Sequence, residues 1–163
     1  MFQQWSEAMG GMDHETVDAQ VGNTHDALKA IGRLRESLQT LPFFGSGKVV
    51  WFQNCNFLGE DRTATSQAVT GTLAELAGEL QAFPWQKVRL LISAGKVDKR
   101  RSFYKTLEKI GAVESFVAWS LDDKDWAFEA ETWARRALRG RQKDISDEGL
   151  AELIDNVGRN RQQ

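Results

Sequence analysis

Residues Thr40 to Phe52 read TLPFFGSGKVVWF, and the fold turns on how the middle of this run is taken. If Gly45-Ser46-Gly47-Lys48 cradled a phosphate, a helix would have to come next, with its N-terminal N–H groups facing the anion. A Walker A loop also needs a glycine five residues before its last glycine and a Ser or Thr after the lysine. Pro42 and Val49 occupy those places. The chain instead continues as KVVWF, a β-rich run suited to a strand covered on both faces, as parallel sheets require. The glycines therefore read as a turn, and Lys48 is expected to be solvated. The acid that holds magnesium at a strand end in an ATPase is missing as well, because KVVWF runs into Gln53 and Asn54.

Upstream, Leu28, Ile31, Leu34, Leu38 and Leu41 recur at helical spacing, from an Asn23 N-cap with Asp26 three residues on to the stop at Pro42. Glu15 to Ala19 reads as an edge strand, and Met1 to Met9 as a helix stopped by Gly10-Gly11. Downstream, Asn54 to Asp61 reads as a polar loop. Val69, Leu73, Leu76, Leu80 and Phe83 then form one helical stripe within Thr63 to Phe83, closed by Pro84. Lys87 to Ser93 (KVRLLIS) is a second buried-type strand, and Ser102 to Ile110 a helix with Phe103, Leu107 and Ile110 inward, ended by Gly111. Val113 to Trp119 (VESFVAW) reads as a third. This alternation predicts an α/β fold with an open, mostly parallel sheet and right-handed crossovers. After Ser120 come two helices without a strand. Asp122 to Arg139 carries Trp126, Ala130, Trp133 and Ala137 on one face, and Ser146 to Val157 carries Leu150, Leu153, Ile154 and Val157 and ends at Gly158. The expected division is residues 1–120 and 121–163.

The 163 residues, 41% hydrophobic and 27% charged, suit one soluble domain with an appendage. A lone cysteine, Cys55, excludes an internal disulfide, and no run approaches the ~18 apolar residues of a membrane span, so a cytoplasmic protein with no membrane contact is expected. Residues 1–86 hold five Lys and Arg against ten Asp and Glu, whereas residues 87–163 hold sixteen against thirteen. The basic lean concentrates at Lys96 to Lys105 and Ala134 to Lys143, read first as solvated helix ends and second as a surface for nucleic acid or an acidic partner.

His14 and His25 lack Cys, Asp or Glu at ligand spacing, so no metal, and no other cofactor, is expected. Cys55 reads as a loop or core thiol rather than a nucleophile. Lys96 and Asp98 follow a strand's C-terminal end, where open α/β folds place their crevice. A small Rossmann-like enzyme working there is the alternative reading; the simpler one is a solvated turn with Asp98 near a helix N-terminus. Of the six tryptophans, Trp51 and Trp119 fall in strands and Trp126 and Trp133 on an apolar helix face, so most are expected in the core. Phe43 and Phe44 differ, because they lie in a connection between a helix-ending proline and a glycine turn. Either they plug the sheet's edge or they anchor a partner, and burying two phenylalanines would make an interaction hot spot.

In order and spacing, LPFFGSGKVVWFQN, a long helix, VRLLISAGKVDKRRSFYKTLEKIGAVESF, a tryptophan-containing helix and ISDEGLAELIDNVGRN together resemble the delta subunit of bacterial DNA polymerase III, from about Val17 onward. The resemblance implies an AAA+ fold with a nucleotide-binding-type first domain that lacks a working ATP site, followed by a helical lid. It implies a clamp-loader subunit without ATPase activity of its own, serving a polymerase holoenzyme in DNA replication. Its partners would be the sliding clamp (the beta subunit), other clamp-loader subunits, and DNA within the complex. The hydrophobic loop that wedges the clamp open would correspond to Leu41, Pro42, Phe43 and Phe44, and Lys96, Lys99, Arg100 and Arg101 become candidate DNA or partner contacts. The family's first, central strand and its collar domain have no counterpart here, so the resemblance implies a chain truncated at both ends or begun at a miscalled methionine.

Overall fold

The computed structural model describes the chain except for residues 11–12, 41, 43–46, 117–123 and 161–163, and the side chains of 157–160. The chain divides into two compact units, residues 1–113 and 114–163.

The first unit is built on a three-stranded, wholly parallel sheet of order β1-β2-β3, with β1 at Glu15–Asp18, β2 at Lys48–Cys55 and β3 at Val88–Ala94. Helix α1 spans Phe2–Met9, α2 Thr24–Gln39, α3 Gln67–Ala82 and α4 Ser102–Ile110. Strand β2 is central because it can bury both faces. Val50 and Phe52 point into one core, where Val17 of β1 and Val88 of β3 join Ala27, Ile31, Leu34 and Leu38 of α2 and Val69, Leu73, Leu76 and Leu80 of α3. On the opposite face the Phe2 ring of α1 lies 5.2 Å from that of Trp51, whose indole N–H donates to Ser93 Oγ at 2.8 Å. Arg89 places its guanidinium 5.6 Å from the centre of the Trp5 ring. Helix α2 starts as its sequence foretells, with Asn23 Oδ1 accepting from Asp26 N at 3.0 Å.

Several expectations are corrected. Asn54 to Asp61 is not a purely polar loop. β2 runs on to Cys55 across a register break that Asn54 takes at a φ of 57°, and Phe57 and Leu58 behind it are buried. Of the asparagines flanking Cys55, Asn56 exchanges two hydrogen bonds with the Val21 backbone, at 3.1 Å to its N–H and 2.9 Å to its carbonyl, and Asn54 Nδ2 donates to Asp18 Oδ1 at 3.3 Å. Helix α3 begins at Gln67 rather than Thr63, because Asp61 Oδ1 holds the N–H groups of Thr63 and Ala64 in a turn. In α4, Phe103 is buried and Leu107 partly so, but Ile110 in the last turn is exposed.

The third expected strand does not form over its described part. Val113 to Phe116 belongs to no ladder, with Val113 45% and Phe116 85% exposed. Among the described residues no strand lies beside it, and an extended segment without a lateral partner has no ladder bonds to hold it. Residues 117–119 of that run lie outside the described residues.

The second unit pairs α5 (Trp126–Arg139) with α6 (Asp147–Asn160). Its buried contacts are Ala130 and Ala134 of α5 against Leu150 and Ile154 of α6. Trp133, expected inward, is 61% exposed, and so is Leu153 at 41%. The physical reason is size: alanines four apart let a second helix approach, and a tryptophan on that ridge would hold it off. Helix α6 passes Gly158 and ends at Asn160, so that glycine does not stop it.

Phe57 packs edge-on against Phe52, centroids 6.1 Å apart, and has no exposed surface. Phe57→Ala is expected to lower unfolding stability by about 3–5 kcal/mol, the usual cost of emptying a buried aromatic site. Urea denaturation monitored by circular dichroism measures it.

Candidate functional site

Two places on the first unit carry the sequence's functional candidates, namely the connection from α2 to β2 and the turn from β3 to α4. In the first, Leu41, Phe43 and Phe44 lie outside the described residues, whereas Pro42 is described and half-buried. The described ends of the connection are tied down. Thr40 closes α2, with its N–H and its hydroxyl both donating to Glu36 O at 3.0 and 2.8 Å. At the other end Lys48 N donates to Lys87 O at 2.8 Å, starting the β2–β3 ladder. Gly47 is closely packed: a Cβ there would displace the Met9 side-chain end of α1 and press on the Lys87 carbonyl at 3.1 Å.

Lys48 overturns its expected solvation. It is fully buried, and its ammonium donates to Glu15 Oε1 at 2.5 Å and to the Thr40 carbonyl at 3.2 Å. Ser37 Oγ donates to the other oxygen of Glu15 at 2.5 Å. Four residues from β1, α2, the end of α2 and β2 thus form one polar cluster at the base of the connection. Burial pushes the Glu15 carboxyl upward, yet the hydrogen bonds from Lys48 and Ser37 outweigh it and hold the group below its ordinary value. The lysine of the glycine-rich run is therefore committed internally and opens a strand, which removes the geometry a phosphate loop needs. The sequence reading missed this cluster. Its one signal was a lysine on the first position of a run otherwise destined for burial, which demands an anionic partner.

In the second place, Asp98 is mostly buried and is the hub of a turn. Its carboxylate accepts from Arg100 N at 3.0 Å and Arg100 Nε at 2.8 Å, and Arg101 Nε lies 3.5 Å away. Its own N–H donates to Leu58 O at 2.9 Å. Hydrogen bonds from the Arg100 side chain, then its backbone, keep the carboxyl well below the usual carboxylate range. A group so engaged is an anchor for its turn and not an acid–base catalyst, and the Lys96/Asp98 crevice loses the carboxylate an enzyme would need. Arg101 is largely buried and donates to the Ala64 carbonyl, while Arg100 is exposed and also pairs with Glu60. Lys96 and Lys99 are exposed. Of the four basic residues, then, three face solvent and Arg101 holds the turn.

The remaining candidates are structural. His14 Nδ1 accepts from Val49 N at 3.1 Å, and His25 lies in the first turn of α2. Among the described residues no cluster of His, Cys, Asp and Glu is arranged to hold a metal. Cys55 is buried, and burial pushes its thiol up to about 12. No described helix is long and apolar enough to cross a membrane.

Two outcomes are expected. The thiol of Cys55 stays silent toward an aromatic disulfide reagent at pH 8 in the folded protein and reacts fully in denaturant, because the thiolate is the reactive form. Asp98 has a folded value below its ordinary one, so it contributes stability that is present above that ordinary value of 3.8 and is lost as pH falls below it. Asp98→Asn should therefore destabilise the protein at pH 7 and flatten the acid limb of its stability profile, as read by urea unfolding at stepped pH.

No curated protein matches the chain. Among solved structures, the DNA clamp loader delta protein of Bacillus subtilis superposes with a TM-score of 0.63, at 16% identity, over 93% of this chain and 40% of that one. At that identity the likeness is one of fold, and the chain spans about two fifths of that relative's length. The family described as DNA polymerase III, delta subunit, matches residues 13–116, a run that contains all three strands and α2 to α4; the chain belongs to that family.

Proposed function

We propose that this chain acts as a non-catalytic clamp-loader subunit that grips the sliding clamp through Leu41, Pro42, Phe43 and Phe44 and favours the open ring during DNA replication. The observation that carries the reading is the connection from α2 to β2. It places two adjacent phenylalanines between ends that are fixed to three different elements, in a chain that belongs to the delta-subunit family. A wedge opens a ring only if it binds the open or strained form better than the closed one, so its affinity must be directed at a state and not simply strong. Tying the two ends of the connection together, as Lys48 does with the Thr40 carbonyl, lowers the ordering cost that binding must meet.

The same reading gives the chain other clamp-loader subunits as partners and an AAA+-type architecture without ATPase activity. The absence of ATPase activity is supported by the internal pairing of Lys48. Lys96, Lys99 and Arg100 are the residues on this unit suited to DNA or an acidic partner within the complex.

Sliding clamp from the same organism, titrated with the wild-type chain and with Phe43→Ala/Phe44→Ala, tests the proposal. Saturable binding that falls at least tenfold in the folded double variant is expected, since each buried phenylalanine is worth about 1.5–3 kcal/mol. Binding should change little between 50 and 200 mM salt, whereas contact through the basic turn would fall steeply. A folded wild-type chain that fails to bind at tens of micromolar, or a double variant that binds equally well, refutes the wedge.

A further inference from the structure

We infer that Lys48 and Glu15 are positioning residues for the loop between α2 and β2: the buried Lys48 ammonium, paired with the partly exposed Glu15 carboxylate, ties the loop's two ends together and so sets how the proposed clamp contact is presented. The inference rests on the proposed clamp contact for its consequence, but its geometry stands apart from it. Lys48 begins β2, directly after the loop, and its ammonium reaches back to the carbonyl of Thr40, directly before the loop. One side chain thus spans the seven-residue connection across its base. The second partner, Glu15, belongs to β1, whose ladder with β2 is independent of the loop. Ser37, two residues before the end of α2, orients the same carboxylate through its far oxygen. Helix end, edge strand and central strand therefore meet at one nitrogen.

Stability alone is a poor reason for such a cluster. Lys48 is buried while Glu15 keeps part of its surface in water, and the desolvation of the buried partner cancels much of the attraction. A carbonyl at a helix C-terminus, by contrast, has no intrahelical partner and usually finds water. Using a buried ammonium there specifies a direction for the chain as it leaves α2. Gly47 lies on the same exit, where the end of the Met9 side chain packs over it. Holding two ends at a fixed separation removes orientations from whatever joins them, and apparent affinity scales with the fraction of time the binding orientation is populated.

The test is Lys48→Met, which keeps length and apolar bulk but removes the ammonium, with Lys48→Arg as the conservative rescue. Two readouts are taken on the full chain. Amide hydrogen exchange is expected to quicken about tenfold at positions 40 and 48, the hydrogen-bonded ends of the connection, in Lys48→Met while amides of Ile31 and Phe52 keep their protection, and Lys48→Arg restores the slow rates. Clamp affinity is expected to weaken about tenfold in the same variant and to return in Lys48→Arg. If Lys48→Met does not fold by circular dichroism, Lys48→Met/Glu15→Gln removes both charges together and is measured in its place.

Unchanged exchange at positions 40 and 48 overturns the inference. So does a uniform rise in exchange throughout the sheet, which would make the pair a general stabiliser. Faster local exchange with unaltered clamp affinity also overturns it, by separating the base from the contact. If the wild-type chain does not bind the clamp, the proposed function fails by itself, and the exchange measurement still decides whether the pair fixes the loop.

Discussion

A positive charge buried with no exposed surface constrains everything near it. Lys48 can occupy the first position of the central strand only if an anion is brought to it, and Glu15 is brought by parallel pairing of β1 with β2. That pairing requires α2 to cross over the sheet, and the crossover delivers Ser37 and the Thr40 carbonyl to the same spot. Satisfying one ammonium therefore involves the strand order, the length of α2 and the point at which it ends. Lengthening α2 by a single residue would rotate its end by about 100° and withdraw the carbonyl. The apolar core beneath, from Ile31 and Leu34 through Phe52 to Leu76, gives the unit its stability, while the polar cluster restricts which arrangement of these elements is compatible with it.

Much of this fold was legible in the sequence because its strongest signals are periodic. The stripe from Leu28 to Leu38, the stripe from Val69 to Leu80 and the apolar runs at Val49 and Val88 each specify an element and a face, and the structure uses them so. The features that escaped were set by tertiary geometry. Phe57 and Leu58 sit among asparagines and glycine, where periodicity says nothing, yet the break at Asn54 turns both into the core. Trp133 shares a helical face with Ala130, but the facing helix selected the small residues and left the large one outside. VESFVAW has strand composition, and composition cannot supply a neighbour.

The candidate site shows the same division. The turn at Lys96 to Arg101 was found by its charge, but only coordinates reveal that Asp98 already has two arginines and that Arg101 faces inward. At the α2–β2 connection the phenylalanines were conspicuous by their place between a proline and a glycine turn. The pair behind them was not, because Glu15 and Lys48 are 33 residues apart and each looks like an ordinary surface charge. Long-range polar contacts leave no periodic trace, so they are the part of a site that a single sequence conceals.

The burial of Cys55 has a practical side. With its lone thiol shut inside the sheet, the protein presents a surface that is blank to maleimide chemistry. A cysteine introduced at an exposed position, such as Gln39 beside the connection or Lys99 on the turn, becomes the one addressable handle. Dyes or spin labels can then be placed singly without first engineering the native residue away.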